Sequence, residues 1–183
     1  MTACFGPAAT GSIPSLAKFG GDDAAIFAGL PQQFGFVVSD LADALRFHHE
    51  VLGMAPWLLY DYDQQTLPVR TFRGAPGDFV TRSAVLRDAG FSLVQPVSGD
   101  STYSEMLAVR GPGLHHVAYR VASMAQWRPR LIERGFTEVM TGSGHGLDGD
   151  GEFAIFDSGG RMGCFVELIE PPKRRRPPFR TIE

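Results

Sequence analysis

The sequence predicts an α+β protein made of paired β-α-β-β-β modules, whose sheets cover one another or curl around a shared cavity. Three observations support this. A strand-helix-strand order occurs twice along the chain, starting at "QQFGFVV" and again at "HHVAYRV". Each helix is flanked by short runs with period-two apolar alternation. Each module alone would leave one apolar sheet face uncovered, so two modules must cover each other or curl about a shared space.

The elements follow in order. Residues 1–30, rich in Gly, Ala and Pro, are expected to form an N-terminal arm; they lack the basic n-region and the unbroken apolar stretch of about 7–15 residues that mark a signal peptide. Residues 31–97 make the first module. Its first strand is "QQFGFVV", and its helix starts at Ser39/Asp40 with apolar Leu41, Leu45 and Leu52 near helical spacing. Gly53 stops that helix. Four strand-like segments follow, "PWLLYDYD", "VRTFRG", "TRSAVLRD" and "FSLVQPV", separated by Gly, Pro and Asp. A connection over 98–114 is helical around Tyr103 to Leu107. The second module, 115–172, runs "HHVAYRV", a helix capped by Ser123 and closed at Gly135, then "TEVMTG", "GEFAIFD" and "CFVELIEP". Pro129 predicts a kink or a late start in that helix. The basic, Pro-rich tail 173–183, with "KRRRPPFR", reads as a solvated terminus or as a dock for a polyanion or phosphorylated ligand.

Composition narrows the function. With 183 residues, 44% of them hydrophobic, the chain can bury one sizeable core. A formal net charge of -3 gives no reason to expect a nucleic-acid partner. No apolar stretch approaches the roughly 20 residues that span a bilayer, so no membrane partner is expected. The two cysteines, Cys4 and Cys164, form no metal or redox motif, which is consistent with a cytoplasmic protein. No nucleophile elbow occurs, and "GSGHG" lacks the helix and lysine of a phosphate loop.

Alternation decides which side chains share a face. Gln33 and Gly35 lie together, as do His116, Ala118 and Arg120, while Phe165 and Glu167 share a third strand's face. If first and last strands surround one cavity, Gln33, His116 and Glu167 converge. An amide oxygen, an imidazole and a carboxylate suit a divalent cation. A glutamate in an otherwise apolar strand strengthens this expectation, because a buried carboxylate needs a cation or a donor. His115 is expected on the opposite face, packing or hydrogen-bonding behind His116. Arg70, Arg73 and Arg120 could bind an anionic substrate group or simply face solvent. His145, with Asp148, lies in a Gly-rich loop that is either a lid over the cavity or a plain hairpin. His48 and His49 read as helix-packing or surface residues. Tyr60, Tyr62, Trp57 and Phe72 are pocket wall or core.

The stretches "FGFVVSDLADALRFHHEVLGMAPW", "STYSEMLAVRGPGLHHVAYRV" and "GEFAIFDSGGRMGCFVELIEPP" resemble the glyoxalase, or vicinal oxygen chelate, superfamily, in its branch similar to methylmalonyl-CoA epimerase and lactoylglutathione lyase-like proteins. The resemblance implies that the paired modules form a cupped, mixed sheet around a central cavity, with metal ligands on the first and last strands of each module: Gln33, Ser92, His116 and Glu167. Ser92 stands where the family has a carboxylate or amide, which leaves Gln33, His116 and Glu167 as the metal set. Ser92, Arg70, Arg120 and His145 are then candidate substrate contacts. A divalent Zn, Ni, Co, Mn or Fe ion is the implied cofactor, and a small molecule the implied partner. Many members dimerise, which implies a homodimer. The implied activity is lyase, isomerase or epimerase chemistry on a small oxygenated or thioester substrate, with an enolate stabilised by metal and Glu167 as general base. The second carboxylate of an epimerase is absent near "VRTFRG". The alternatives are a metal-free sequestering protein on the same scaffold, and a metal-dependent dioxygenase.

Overall fold

The computed structural model describes residues 30–183, so the expected arm lies outside the described residues except for Leu30. In chain order the elements are β1 (Gln33–Val37), α1 (Leu41–Arg46) running into a π-helical turn (Phe47–Val51), β2 (Trp57–Tyr62), β3 (Val69–Phe72), β4 (Ala75–Pro76), β5 (Val80–Leu86), β6 (Phe91–Ser98), α2 (Thr102–Arg110), β7 (Gly113–Arg120), α3 (Met124–Glu133), β8 (Thr137–Ser143), β9 (Glu152–Asp157), β10 (Phe165–Glu170) and β11 (Arg180–Ile182). All eleven described strands form one sheet, in the order β11-β2-β5-β6-β1-β7-β10-β9-β8-β3-β4.

The internal repeat is visible in that order. β2-β5-β6-β1 and β8-β9-β10-β7 are the same arrangement, joined where β1 and β7 pair antiparallel at the middle of the sheet. In each half the first strand pairs parallel with the last, β1 with β6 and β7 with β10. "VRTFRG" departs from the expected first-half sheet. After β2 the chain crosses to the far edge, where β3 pairs antiparallel with β8 and carries β4 beyond it.

Three apolar clusters hold the fold. On the convex side, α1 buries Leu41 and Leu45 against Trp57, Leu59, Ala84, Leu86 and Leu93. On the other half's convex side, α3 buries Met124 and Leu131 against Val117, Phe156, Val166 and Leu168. The third cluster, Val37, Leu67, Phe79, Val94, Tyr103, Met140 and Ile155 among others, fills part of the concave side. Side chains on one strand face alternate, so strands covered by helices outside and a cup inside are apolar in both phases.

Capping explains the helix starts. The Asp40 side chain accepts from Asp43 N at 2.9 Å, and α2 begins in a reciprocal capping box between Ser101 and Ser104. Ser123 makes no such bond. A carboxylate from the end of β10 does the work instead, Glu170 Oε2 accepting from Met124 N at 2.6 Å. Pro129 neither delays nor divides α3, which runs from Met124 to Glu133 with the proline inside it.

Candidate active site

The sheet register assembles the site. One lateral row of Cα partners runs Ser92, Gly35, His116, Phe165; the next on the same face runs Gln33, Ala118, Glu167. Gly35 and Ala118 have little or no side chain and form its floor, over which the four larger groups lean inwards. A Cβ on Gly35 would lie 2.1 Å from His116 Cε1 and Nε2, so the imidazole occupies the space that this glycine leaves. Gln33, Ser92, His116 and Glu167 all line one cavity of about 380 Å³.

The groups differ in their bonding. Gln33 Nε2 donates to Ser92 Oγ at 3.0 Å, tying the first module's two contributions together. His116 Nε2 lies 3.2 Å from Glu167 Oε2, yet it has no aligned hydrogen-bond partner. Both residues are buried, at 1% and 5% exposure. Burial holds the imidazole neutral, pushing its pKa down to about 4, and pushes the Glu167 carboxyl up to about 8. An imidazole nitrogen and a carboxyl group that converge without an aligned hydrogen bond fit two ligands of a shared divalent cation. The Gln33 amide oxygen is a suitable third donor, and Ser92 Oγ a weak fourth. Among the described residues, no cluster of three or more His, Cys, Asp and Glu side chains exists, so any cation here must draw on the amide or hydroxyl.

His115 departs from its expected place. The β1–β7 register shifts between Gly35 and Phe36, which leaves His115 as an extra residue on β7. Its Nδ1 lies 3.0 Å from His116 Nδ1, so one of the two donates to the other. The ring is wedged between Tyr103 and Phe165, with centroids at 4.3 and 4.8 Å. Burial, followed by the neighbouring His116, holds its pKa well below the usual histidine range. It supports His116 from behind as expected, by a bulge rather than by the opposite face.

The remaining candidates divide. His145 lines the cavity on the β8–β9 connection, its ring edge-on to Tyr62 at 6.4 Å and its buried Nδ1 without a partner. Arg70 is not in the cavity: Nη1 donates to Phe79 O and Nη2 to Gln64 Oε1, both at 2.5 Å, which braces the crossing loop. Arg120 is exposed at the end of β7 and is also outside it. Arg73 pairs with Glu105 on α2 at 2.8 Å. Tyr60 and Tyr62 line the cavity, whereas Trp57 and Phe72 belong to the cores. Burial pushes the Tyr62 hydroxyl up to about 12 and that of Tyr103 well above its usual range, so both are neutral donors.

Sequence reading missed one wall of the cavity. Arg175, Arg176, Pro177 and Phe179, from the tail expected to be solvated or to dock a polyanion, line it beside Pro172 at the end of the second module. Their basic composition was visible, but their place was not.

A profile described as the glyoxalase/bleomycin resistance protein/dioxygenase superfamily matches residues 32–156. The chain belongs to this superfamily. Among curated proteins, an uncharacterized protein, YqjC, of Bacillus subtilis (strain 168) is 24% identical over 137 residues, covering 75% of this chain and 89% of that protein. Among solved structures, methylmalonyl-CoA epimerase from Mycobacterium tuberculosis superposes with a TM-score of 0.56 at 22% identity, covering 81% of this chain and 91% of that one. A variant of Streptomyces coelicolor methylmalonyl-CoA epimerase in complex with 2-nitronate-propionyl-CoA gives 0.52 at 18% identity, covering 77% and 96%. These likenesses show the superfamily's curled sheet. No described helix is long and apolar enough to cross a membrane.

Proposed function

We propose that this chain is a metal-assisted isomerase or lyase of the superfamily, acting on a small oxygenated or thioester substrate through an enolate. The observation that carries the reading is the buried pair of His116 and Glu167, converging without a mutual hydrogen bond beside Gln33 and Ser92. Gln33, His116 and Glu167 would hold the divalent ion, which when bound acts as a Lewis acid on a substrate oxygen.

The protein groups then have separate tasks. His116 stays neutral, as a ligand must, because burial opposes its protonation. Glu167 takes the proton adjacent to the carbonyl and returns it. Tyr62 and Tyr103 keep their protons and limit water at the site. His145 offers an unpartnered nitrogen to the substrate. The other carboxylates lining the cavity are engaged, Asp61 with Arg82 and Asp63 with the Thr66 and Gln65 amides. Glu167 therefore works alone, which favours proton removal and return by one base over a two-carboxylate epimerisation.

A metal-free sequestering role is the second reading, favoured by the Gln33–Ser92 hydrogen bond that satisfies two of the four positions internally. The two are separated by deuterium exchange at the carbon between the carbonyls of methylmalonyl-CoA, followed by mass spectrometry with and without added Zn, Co, Ni or Mn. Metal-dependent exchange that Glu167→Gln abolishes is expected. A chain that takes up about one equivalent of none of these ions and exchanges nothing would sink the isomerase reading.

A further inference from the structure

The last dozen residues cross the cavity mouth as a strap fixed at both ends. Near β10, Lys173 N donates to Asp150 Oδ2 at 2.8 Å and Arg174 pairs with Asp148. Leu147 N donates to Arg174 O at 3.0 Å, and Arg175 bridges to Gly146. At the other end Phe179 N donates to Leu59 O at 3.0 Å, and β11 pairs with β2. Between these anchors, Arg175-Arg176-Pro177-Pro178 spans from the second module's loop to the first module's edge. Two prolines without N–H groups suit a span that pairs with neither half of the sheet.

Arg174 is neutralised on the outside, but Arg175 and Arg176 line the cavity and form no ion pair with a carboxylate among the described residues. Arg176 is half-buried, and its Nε is buried with no hydrogen-bond partner. Their charge reaches the cavity groups: both arginines oppose protonation of His145, and Arg175 favours ionisation of Tyr60 and Tyr62. Arg175, exposed at the rim, and Arg176, half-buried, thus bring two guanidinium groups to a cavity whose carboxylates Asp61 and Asp63 are already engaged by Arg82 and by backbone amides.

We propose that Arg175 and Arg176 form an oxyanion clamp, so that the cavity takes a substrate bearing a carboxylate or a phosphoryl group remote from the reacting carbon. Guanidinium groups match both oxyanions by paired N–H donors. The proposal rests on the isomerase reading and adds the part of the substrate that the chemistry leaves unchanged. The strap holds the anion while Glu167 works at the opposite, metal-facing part of the cavity.

The test is calorimetric titration of the full chain, in low-chloride buffer, with malonate and separately with inorganic phosphate. The wild type is set against Arg175→Ala/Arg176→Ala and against Arg110→Ala/Arg161→Ala, which removes the same charge elsewhere. Malonate, phosphate or both should bind the wild type and lose about tenfold or more in affinity only in the strap variant; which anion binds names the group. Thermal unfolding checks that both variants stay folded. No binding of either anion, or equal losses in the two variants, overturns the clamp. Metal uptake on the same samples keeps the two readings apart. A chain that binds malonate through the strap but takes up no cation refutes the isomerase alone, and one that takes up cation but ignores both anions refutes the clamp alone.

Discussion

Removing the ionisable proton of Glu167 should remove a specific part of the pH dependence of stability. In the folded chain this carboxyl is pushed up to about 8 by burial, from 4.5 when free. Between those values the folded state keeps a proton that the unfolded chain has lost, so stability falls as pH rises and levels off above the folded pKa. The buried histidines act with the opposite sign. His116, pushed down to about 4 from 6.5, is joined by His115 and His145, both also held below 6.5. They bind fewer protons folded than unfolded, so they add stability as pH rises, but only up to 6.5, where the unfolded histidines are neutral as well. The window from 6.5 to about 8 therefore isolates Glu167. At about 1.4 kcal/mol per pH unit, the chelator-treated chain should lose about 2 kcal/mol across it. Urea unfolding at several pH values, read by tryptophan fluorescence, measures this directly. The Glu167→Gln chain should be flat over the same range, and saturating divalent ion should reverse the wild-type trend, because a ligand carboxyl must lose its proton to bind. A flat wild type, or an equal decline in Glu167→Gln, would refute the assignment of a buried, protonated carboxyl.

Two further substitutions probe the metal set. Gly35→Ala puts a methyl where the His116 ring lies, so the ring must turn away. Circular dichroism should show the fold retained, at a cost of about 1–3 kcal/mol by denaturant titration, with divalent-ion affinity reduced about 10–100-fold. Ser92→Glu supplies a carboxylate at the weak fourth position, on the cavity side. Competition with a fluorescent chelator should show tighter Zn or Mn binding than in the wild type, and unchanged affinity would mean that position 92 does not face the ion.

What was legible in the sequence has a common physical basis. Gln33, Gly35, His116, Ala118 and Glu167 lie on regular strands, where a period of two fixes the face and the internal repeat fixes which strands meet. Once the first and last strands surround one cavity, Gln33, His116 and Glu167 meet in it. His115 was misplaced because one extra residue in β7 breaks the alternation at that point, and nothing in "GLHHVAY" marks the bulge. Arg70 alternates as expected within its strand, but that strand crosses to β8, so its neighbours are Phe79 and Gln64. The tail hid its position most completely. Its attachments at Gly146 and Leu59 are backbone to backbone, and a basic Pro-rich composition describes a solvated terminus equally well.

The division of labour follows from the repeat. Each half supplies two of the four equivalent positions, Gln33 and Ser92 from the first, His116 and Glu167 from the second. In the first half both are uncharged and hydrogen-bonded to each other, so they cost little to bury. In the second half they are an imidazole and a carboxyl that burial forces towards neutrality, an arrangement that a cation would relieve. On the proposed reading the second half carries the proton chemistry while the first half chiefly positions. The strap then serves the side of the cavity whose own carboxylates, Asp61 and Asp63, are already engaged by Arg82 and by backbone amides. It starts from the second module, crosses the mouth and ends as a strand on the first, carrying two unpaired guanidinium groups to a wall of tyrosines and hydroxyls. On the two proposals together, a duplicated fold with two equivalent half-sites would have one reactive end and one anion-holding end, and its substrate a single orientation between them.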